Sequence, residues 1–357
     1  MTKKQKELQY LPFVEIFDSA LAKEQTRILE PRDYIYASEI STSMYDRYLS
    51  MKGVPYSNAP NEIAIRKFKI GALIEDFFKI VLFEVGLLKK QEERVYSNFD
   101  FGLKVSGRLD VTYGGSFNIN DINDILEKFN FLSFIGLLSD AIKEFAKLNP
   151  NNNYSDCGLE IKSCSEYIFN AIEQTNEPLH HHKLQAFHYA KWTGLPFQIV
   201  YFDKNNARMK SFWIYGDDAE LLKIYKEDIT KMTYYYENNI IPPKEDLIVF
   251  NKRFSKNWQV EYSKYLTSHY GFQTKQEYRD LITSKSGRWN RVLVKIEKNE
   301  KITDDNKKAI QEMRDAGYNI EILKTNEVVD VEAEIVVESK TSISKMEKLN
   351  TLNKFLS

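Results

Sequence analysis

The chain has 357 residues, enough for one large domain or two ordinary ones, and its 43% hydrophobic content, with 22 Tyr and 22 Phe, supplies bulk for a core. Charged residues make up 28% and the formal net charge is −1, which argues against a protein that coats nucleic acid with its whole surface but permits a local basic groove beside an acidic site. The basic start MTKKQKELQYLPFVEIF lacks the apolar run of a signal peptide, and no stretch of about 18 apolar residues suggests a membrane span. Two cysteines, Cys157 and Cys164, suit neither a zinc knuckle nor a disulfide scaffold, so a reduced, cytoplasmic protein is expected.

In chain order, residues 1–36 read as partly helical, interrupted at Pro31. Ser38 opens SEISTSMYDRYLSMKG, a capped helix that Gly53 closes. After VPYSNAP, a long helix is predicted from about Asn61 to Gly86. Its apolar positions Ile63, Ile70, Leu73, Ile74, Phe77, Phe78, Val81 and Leu82 recur mostly at helical spacing. The period then changes. ERVYSNF and LKVSGRLDVTYGG read as two strands joined by a turn around Asp100–Gly102, with Arg108, Asp110 and Thr112 on one face of the second. INDINDILEKFNFLSFIGLLSDAIKEFAKL reads as a helical insertion near 119–149. GLEIKS is a short strand whose alternation projects Glu160 and Lys162 from the same face.

Helices follow in SEYIFNAIEQ and, after Pro178, in HHHKLQAFHYAKWTG. PFQIVYFD and RMKSFWIYG form a hairpin around Lys204–Ala207, and a helix covers roughly 217–238. The sum is an α/β core with a mixed sheet and helices on its faces. Pro242 and Pro243 mark a boundary between residues 1–243 and an accessory C-terminal region, 244–357. There WNRVLVKIE, TDDNKKAIQEMRDAG and YNIEILKT suggest a small β-α-β unit between about 288 and 326, followed by a polar tail.

One pattern can carry chemistry. Two carboxylates can hold a hard Mg²⁺ or Mn²⁺ that bridges to phosphate, and a nearby lysine can orient a water and offset developing charge. Asp110 in GRLDVTYG and Glu160-Ile161-Lys162 in GLEIKS fit, because a spacing of two aims both charges at one face. An isolated E-x-K is weak, since many solvated strand faces contain it. Here apolar residues surround both carboxylates, and Gly107 and Gly158 precede them at similar distance.

The ordered series ASEISTSMYDRYL, GALIEDFF, GRLD, EIKS and QAFHY resembles the RecB-like branch of the PD-(D/E)XK nuclease superfamily over roughly residues 36–216. That resemblance implies a restriction-endonuclease-like core with a helical N-terminal part and a small C-terminal α+β extension. It implies metal-dependent DNA hydrolysis by an exonuclease acting on single-stranded or end-containing DNA in replication, recombination or repair, as in phage and mitochondrial genome maintenance exonucleases. Asp110 and Glu160 would ligate Mg²⁺ or Mn²⁺ with the Ile161 carbonyl, and Lys162 would assist water and phosphate. Gln185 and Tyr189 match the family's Q-x-x-x-Y element and would orient Lys162 or contact the scissile strand; Tyr189 as a core residue is the alternative.

The pattern also departs from the family. Glu75 stands where these enzymes often place a histidine, as a further metal ligand or else a solvent-facing helix residue. Leu109 replaces the usual proline before the first aspartate. Two cysteines cannot build the four-cysteine iron–sulfur cluster of some relatives. His180-His181-His182 lacks zinc partners and reads as surface or helix entry, although His181, one turn before Gln185, also suits the groove. Nucleic-acid contacts are expected from Ser38, Tyr45, Arg47, Arg108, Ser163 and His181. Arg66, Lys67 and Lys69 are equally well explained as a solvated helix face. The alternative function is a non-catalytic nucleic-acid-binding or scaffold component, and the C-terminal region is the place for a protein partner.

Overall fold

A computed structural model describes residues 29–116 apart from 59, 85 and 99, residues 153–322 apart from 299 and 301, and residues 335–339. The expected helical insertion near 119–149, the start of the chain and the polar tail lie outside the described residues. The chain divides into two compact units, Met1–Pro243 and Lys244–Ser357.

Among its described residues the first unit holds two sheets. β1 (Tyr34–Tyr36), β3 (Arg94–Tyr96) and β4 (Lys104–Arg108) form a small one in the order β1-β4-β3. β2 (Leu88–Gln91), β5 (Val111–Ser116), β6 (Asn153–Cys164), β7 (Phe197–Asp203) and β8 (Met209–Ile214) form a central mixed sheet in the order β2-β5-β6-β7-β8. In it β6 and β7 run parallel and the other pairs antiparallel. Among the described residues five α-helices accompany these strands: α1 (Met44–Met51), α2 (Glu62–Glu84), α3 (Glu166–Thr175), α4 (His180–Thr193) and α5 (Ala219–Glu237).

Strand alternation sorts the two faces of the central sheet. Val111, Leu159 and Ile161 pack against Ile74, Phe78 and Leu82 of α2. Glu160 and Lys162 point the other way, toward α4. This is the α/β core with helices flanking a mixed sheet that the sequence pattern implies.

Several boundaries differ from expectation. The first α-helix begins at Met44, not Ser38: Ala37–Glu39 form a 3₁₀ turn, Ser41 takes φ 62°, and the Ser43 hydroxyl caps the helix by accepting from the Asp46 N–H at 3.2 Å. Tyr34–Tyr36, within the stretch read as partly helical, is a strand. The long helix α2 is present, but Ile63, Ile70 and Leu73 are exposed rather than part of its buried stripe. The single strand expected through LKVSGRLDVTYGG is two strands, β4 and β5, in different sheets, and Asp110 sits at the break. β2 had no readable signal, because three of its four residues, Lys89, Lys90 and Gln91, are exposed.

The second unit starts with a hairpin of β9 (Ile248–Asn251) and β10 (Arg253–Lys256), turned at Lys252 with φ 58°. Then come α6 (Trp258–Glu261), α7 (Leu266–Tyr270), α8 (Lys275–Glu297), α9 (Asp304–Asp315) and β11 (Tyr318–Ile322), which pairs antiparallel with β12 (Ile335–Ser339). WNRVLVKIE is therefore helix, the last turns of α8, and not a strand. Tyr278, Ile282, Trp289, Val292 and Ile296 recur at helical spacing and line the core, a period that becomes visible only when the run is extended back to the Thr274 cap. Among the described residues no helix is long and apolar enough to cross a membrane.

Candidate active site

The centre of the site follows from register. Val111 lies opposite Leu159 across β5 and β6, which puts Asp110, just before β5, beside Glu160. The Asp110 Oδ2 accepts the backbone N–H of Ile161 at 2.7 Å, so the carboxylate itself stands in for the strand pairing that stops at β5. Two residues along β6, Lys162 returns to the same face. Its Nζ is 2.6 Å from Glu160 Oε1 and donates to Gln185 Oε1 at 3.0 Å.

From Lys162 the contacts continue into α4 and back to the start of the site. Gln185 Nε2 donates to the Tyr189 hydroxyl at 3.2 Å, and that hydroxyl donates to the Arg108 carbonyl at 3.0 Å. Gln185 and Tyr189 share a helix face because they are four apart. Close approach of the Tyr189 ring needs Gly107: a Cβ there would lie 2.4 Å from the ring. Gly158 makes the same allowance for Phe197, whose ring would be 2.2 Å from an added Cβ.

Charge here is held against solvation. Glu160 is 1% exposed, and its Oε2 is a buried oxygen with no hydrogen-bond partner. Burial, and then the neighbouring Glu160, push the Asp110 carboxyl well above its ordinary range. Burial raises Glu160 too, opposed by Lys162. Burial works against the Lys162 charge, but the adjoining Glu160 and Asp110 carboxylates keep its pKa above the usual lysine value. A buried carboxylate with an oxygen left unpartnered, beside the half-buried Asp110, fits a hard divalent cation, which would relieve both costs. Among the described residues no group of three or more His, Cys, Asp or Glu converges closely enough to cage an ion unaided. A cation here would therefore complete its shell with water, as Mg²⁺ commonly does.

Glu75 on α2 is near enough to raise the carboxyl pKa of both Asp110 and Glu160. It is not solvated freely: its Oε1 is 2.5 Å from Lys79 Nζ, and Lys79 also pairs with Glu92. Glu92 in turn accepts Arg108 Nε at 2.7 Å. Lys79 and Glu92 escaped the sequence reading. Lys79 had a signal in its i, i+4 spacing from Glu75; Glu92, at φ 55° in a turn, had none.

The expected nucleic-acid contacts separate. Ser38 is exposed, and Arg108 is exposed beside the site. His181 is half-buried, and burial together with Lys162 lowers its pKa to about 4. Ser163 lies on the opposite sheet face, its Oγ 3.0 Å from where a Cβ on Gly71 of α2 would stand. Tyr45 and Arg47 are interior residues and not surface contacts. Arg47 is 2% exposed, with its guanidinium bound to both Asp228 oxygens at 2.6 and 2.8 Å and to the Thr42 carbonyl. It ties α1 to α5; its Nε has no hydrogen-bond partner, but it is shut off from solvent and so cannot reach a ligand.

No protein-family model matches the chain, and no curated protein matches it by sequence. Among solved structures it is similar to SSO0001, at 14% identity and TM-score 0.40 over 73% of this chain and 97% of that one. An alkaline exonuclease (LHK-Exo) from Laribacter hongkongensis is similar at 13% identity and TM-score 0.34, over 61% of this chain and 94% of that one. The LHK-Exo complex with dAMP gives 13% and 0.33, over 58% and 90%. At such low scores these likenesses carry no weight in assigning the chemistry, which rests on the site itself.

Proposed function

We propose that the chain is a metal-dependent DNA nuclease, hydrolysing phosphodiester bonds at the face where β5, β6 and α4 meet. The observation that carries this reading is the half-buried Asp110 beside the buried Glu160, with the unpartnered Glu160 Oε2, set next to a lysine at 2.6 Å. Asp110, Glu160 and the Ile161 carbonyl, with Glu75 close by, would hold Mg²⁺ or Mn²⁺. When bound, the ion supplies charge neutralisation at phosphate and a more acidic water.

The chain's own groups do the rest. Lys162 has three Nζ–H donors; Glu160 and Gln185 take two, and the third is left for the attacking water or a phosphate oxygen. Attack of water on phosphorus breaks one P–O ester bond and leaves one phosphate-terminated and one hydroxyl-terminated end. The Lys162 charge offsets the negative charge that builds on the phosphate oxygens. Gln185 and Tyr189 are positioning residues that fix the Lys162 ammonium relative to the Arg108–Asp110 backbone. Arg108, with Ser38 and His181, would meet the strand being cut; His181, neutral at pH 7, would do so by hydrogen bonding. DNA with single-stranded regions or free ends is the proposed substrate.

The test is degradation of end-labelled single- and double-stranded DNA with Mg²⁺ or Mn²⁺, comparing the native chain with Asp110→Ala and Lys162→Ala. Metal-dependent loss of substrate that both substitutions abolish is the expected result. No cleavage by the native chain, or cleavage surviving both substitutions, rejects the assignment and favours a non-catalytic binding component.

A further inference from the structure

We propose that the second unit carries its own binding surface for single-stranded nucleic acid, built on the exposed rings of Trp258 and Tyr262. Residues 252–279 hold six Lys and Arg (Lys252, Arg253, Lys256, Lys264, Lys275 and Arg279) against two carboxylates, Glu261 and Glu277, whereas the whole chain is at −1. A polyanion is the partner that this local excess fits.

Two of these cations are fixed in place against α6. Glu261 is 2% exposed, and one oxygen meets Arg279 Nε at 2.7 Å and Nη2 at 2.5 Å while the other meets Lys256 Nζ at 2.8 Å. Burial alone would push the Glu261 carboxyl up, yet Lys256 and Arg279 hold it below its ordinary range. One buried carboxylate thus anchors two cations whose side chains stay 42% and 39% exposed. Arg279 retains further N–H donors for an outside anion.

Trp258 opens α6 and Tyr262 caps its C-terminus one turn on, the Tyr262 N–H bound to the Trp258 carbonyl at 3.0 Å. They are 46% and 58% exposed. Lys275 Nζ lies 4.4 Å from the centre of the Tyr262 ring. Lys275 is the first residue of α8, where the helix dipole disfavours a cation, and partial burial lowers its pKa further. A phosphate placed there relieves both effects. Exposed rings for stacking, interleaved with cations for phosphates, are what an unpaired strand uses, since every base has a π face. An acidic polypeptide would use the cations but leave the two rings idle. This surface extends the nuclease reading, which supplies the reason to expect DNA.

The full-length protein in EDTA, where metal-dependent cleavage is off, is titrated with a labelled oligothymidylate and with an abasic strand of equal length. Trp258→Ala/Tyr262→Ala is expected to weaken oligothymidylate binding about five-fold or more and to leave the abasic strand unaffected. Trp258→Phe/Tyr262→Phe should keep most of the affinity, which separates stacking from misfolding. Cross-linking with 5-iodouracil should map to Trp258 or Tyr262. Equal oligothymidylate affinity in native and alanine proteins, cross-links confined to residues 1–243, or equally tight displacement by polyglutamate each overturns the proposal. Mg²⁺-dependent cleavage with ring-independent binding would sink this surface and leave the nuclease standing; ring-dependent binding without any cleavage would do the reverse.

Discussion

Lys162 is charged inside the protein because Glu160 and Asp110 lie against it, and its direction is set by Gln185, which in turn depends on Tyr189 and the Arg108 carbonyl. Removing a group that acts through another should lower turnover without undoing the fold. Gln185→Ala is expected to reduce kcat by about 10–100-fold, the usual scale for groups that orient a reacting or ligating residue. KM and the unfolding midpoint should change little; an equal fall in midpoint and activity would mark Gln185 as merely structural. Lys79 poses a second residue-scale question, because its ammonium stands between Glu75 and Glu92. Lys79→Met should raise the Mg²⁺ concentration for half-maximal cleavage about ten-fold by freeing Glu75 to swing away. An unchanged metal requirement would remove Glu75 from the ion's surroundings. The Glu160 and Lys162 juxtaposition was legible because strand alternation is a strict two-residue period, whereas Asp110, at a break between strands, was grouped with them by the order of motifs and joins them through the β5–β6 register. The burial of Tyr45 and Arg47 was not, since an Arg on an amphipathic helix reads as exposed until its partner, Asp228, is brought in from 181 residues away.

At the scale of elements, α4 is the spine of the first unit: one side supports Lys162, and the next turn anchors β3 and α5. His188 on that helix is fully buried, with Nδ1 2.8 Å from the Tyr225 hydroxyl and Nε2 3.4 Å from the Val95 carbonyl. Burial lowers its pKa to about 4, so the folded state keeps it neutral where the unfolded chain, near 6.5, takes up a proton. The unfolded state therefore binds more protons between these values, and stability falls as pH drops through that window. His188→Gln should flatten the slope by up to about 1.4 kcal/mol per pH unit there, read from denaturant titrations at stepped pH. Parallel curves for the two proteins would contradict the buried neutral imidazole. Packing of α4 on β4 gives another check. Gly107→Ala sets a methyl 2.4 Å from the Tyr189 ring and should cost about 1–3 kcal/mol of stability, with loss of activity as Tyr189 shifts. The helices and the β7–β8 hairpin were readable from apolar period and turn residues; the β4–β5 break was not, because nothing local distinguishes Leu109–Asp110 from the middle of a strand.

For the molecule as a whole, each unit has its own core. In the second, Trp289 is fully buried among Phe254, Tyr278, Ile282 and Tyr318. Separate cores predict separate cooperative transitions in calorimetry. Trp289→Ala, which empties the largest buried side chain of that core, should destabilise one transition by about 3–5 kcal/mol and leave the other in place. A single transition that moves as one would show that the units unfold together.

By itself the sequence determined the class of fold, the long helix α2, the pair of helices α3 and α4, the β7–β8 hairpin and the placing of Glu160 and Lys162 on one face of β6. These follow from short-range rules: a side chain's face on a strand or helix depends on its own neighbours in sequence. Only the tertiary structure decided where β4 ends and β5 begins, that Arg47 is interior, and that Glu92 bridges Lys79 and Arg108. Each depends on partners far along the chain, and the free energy of burying a charge or extending a strand is set by what arrives opposite it.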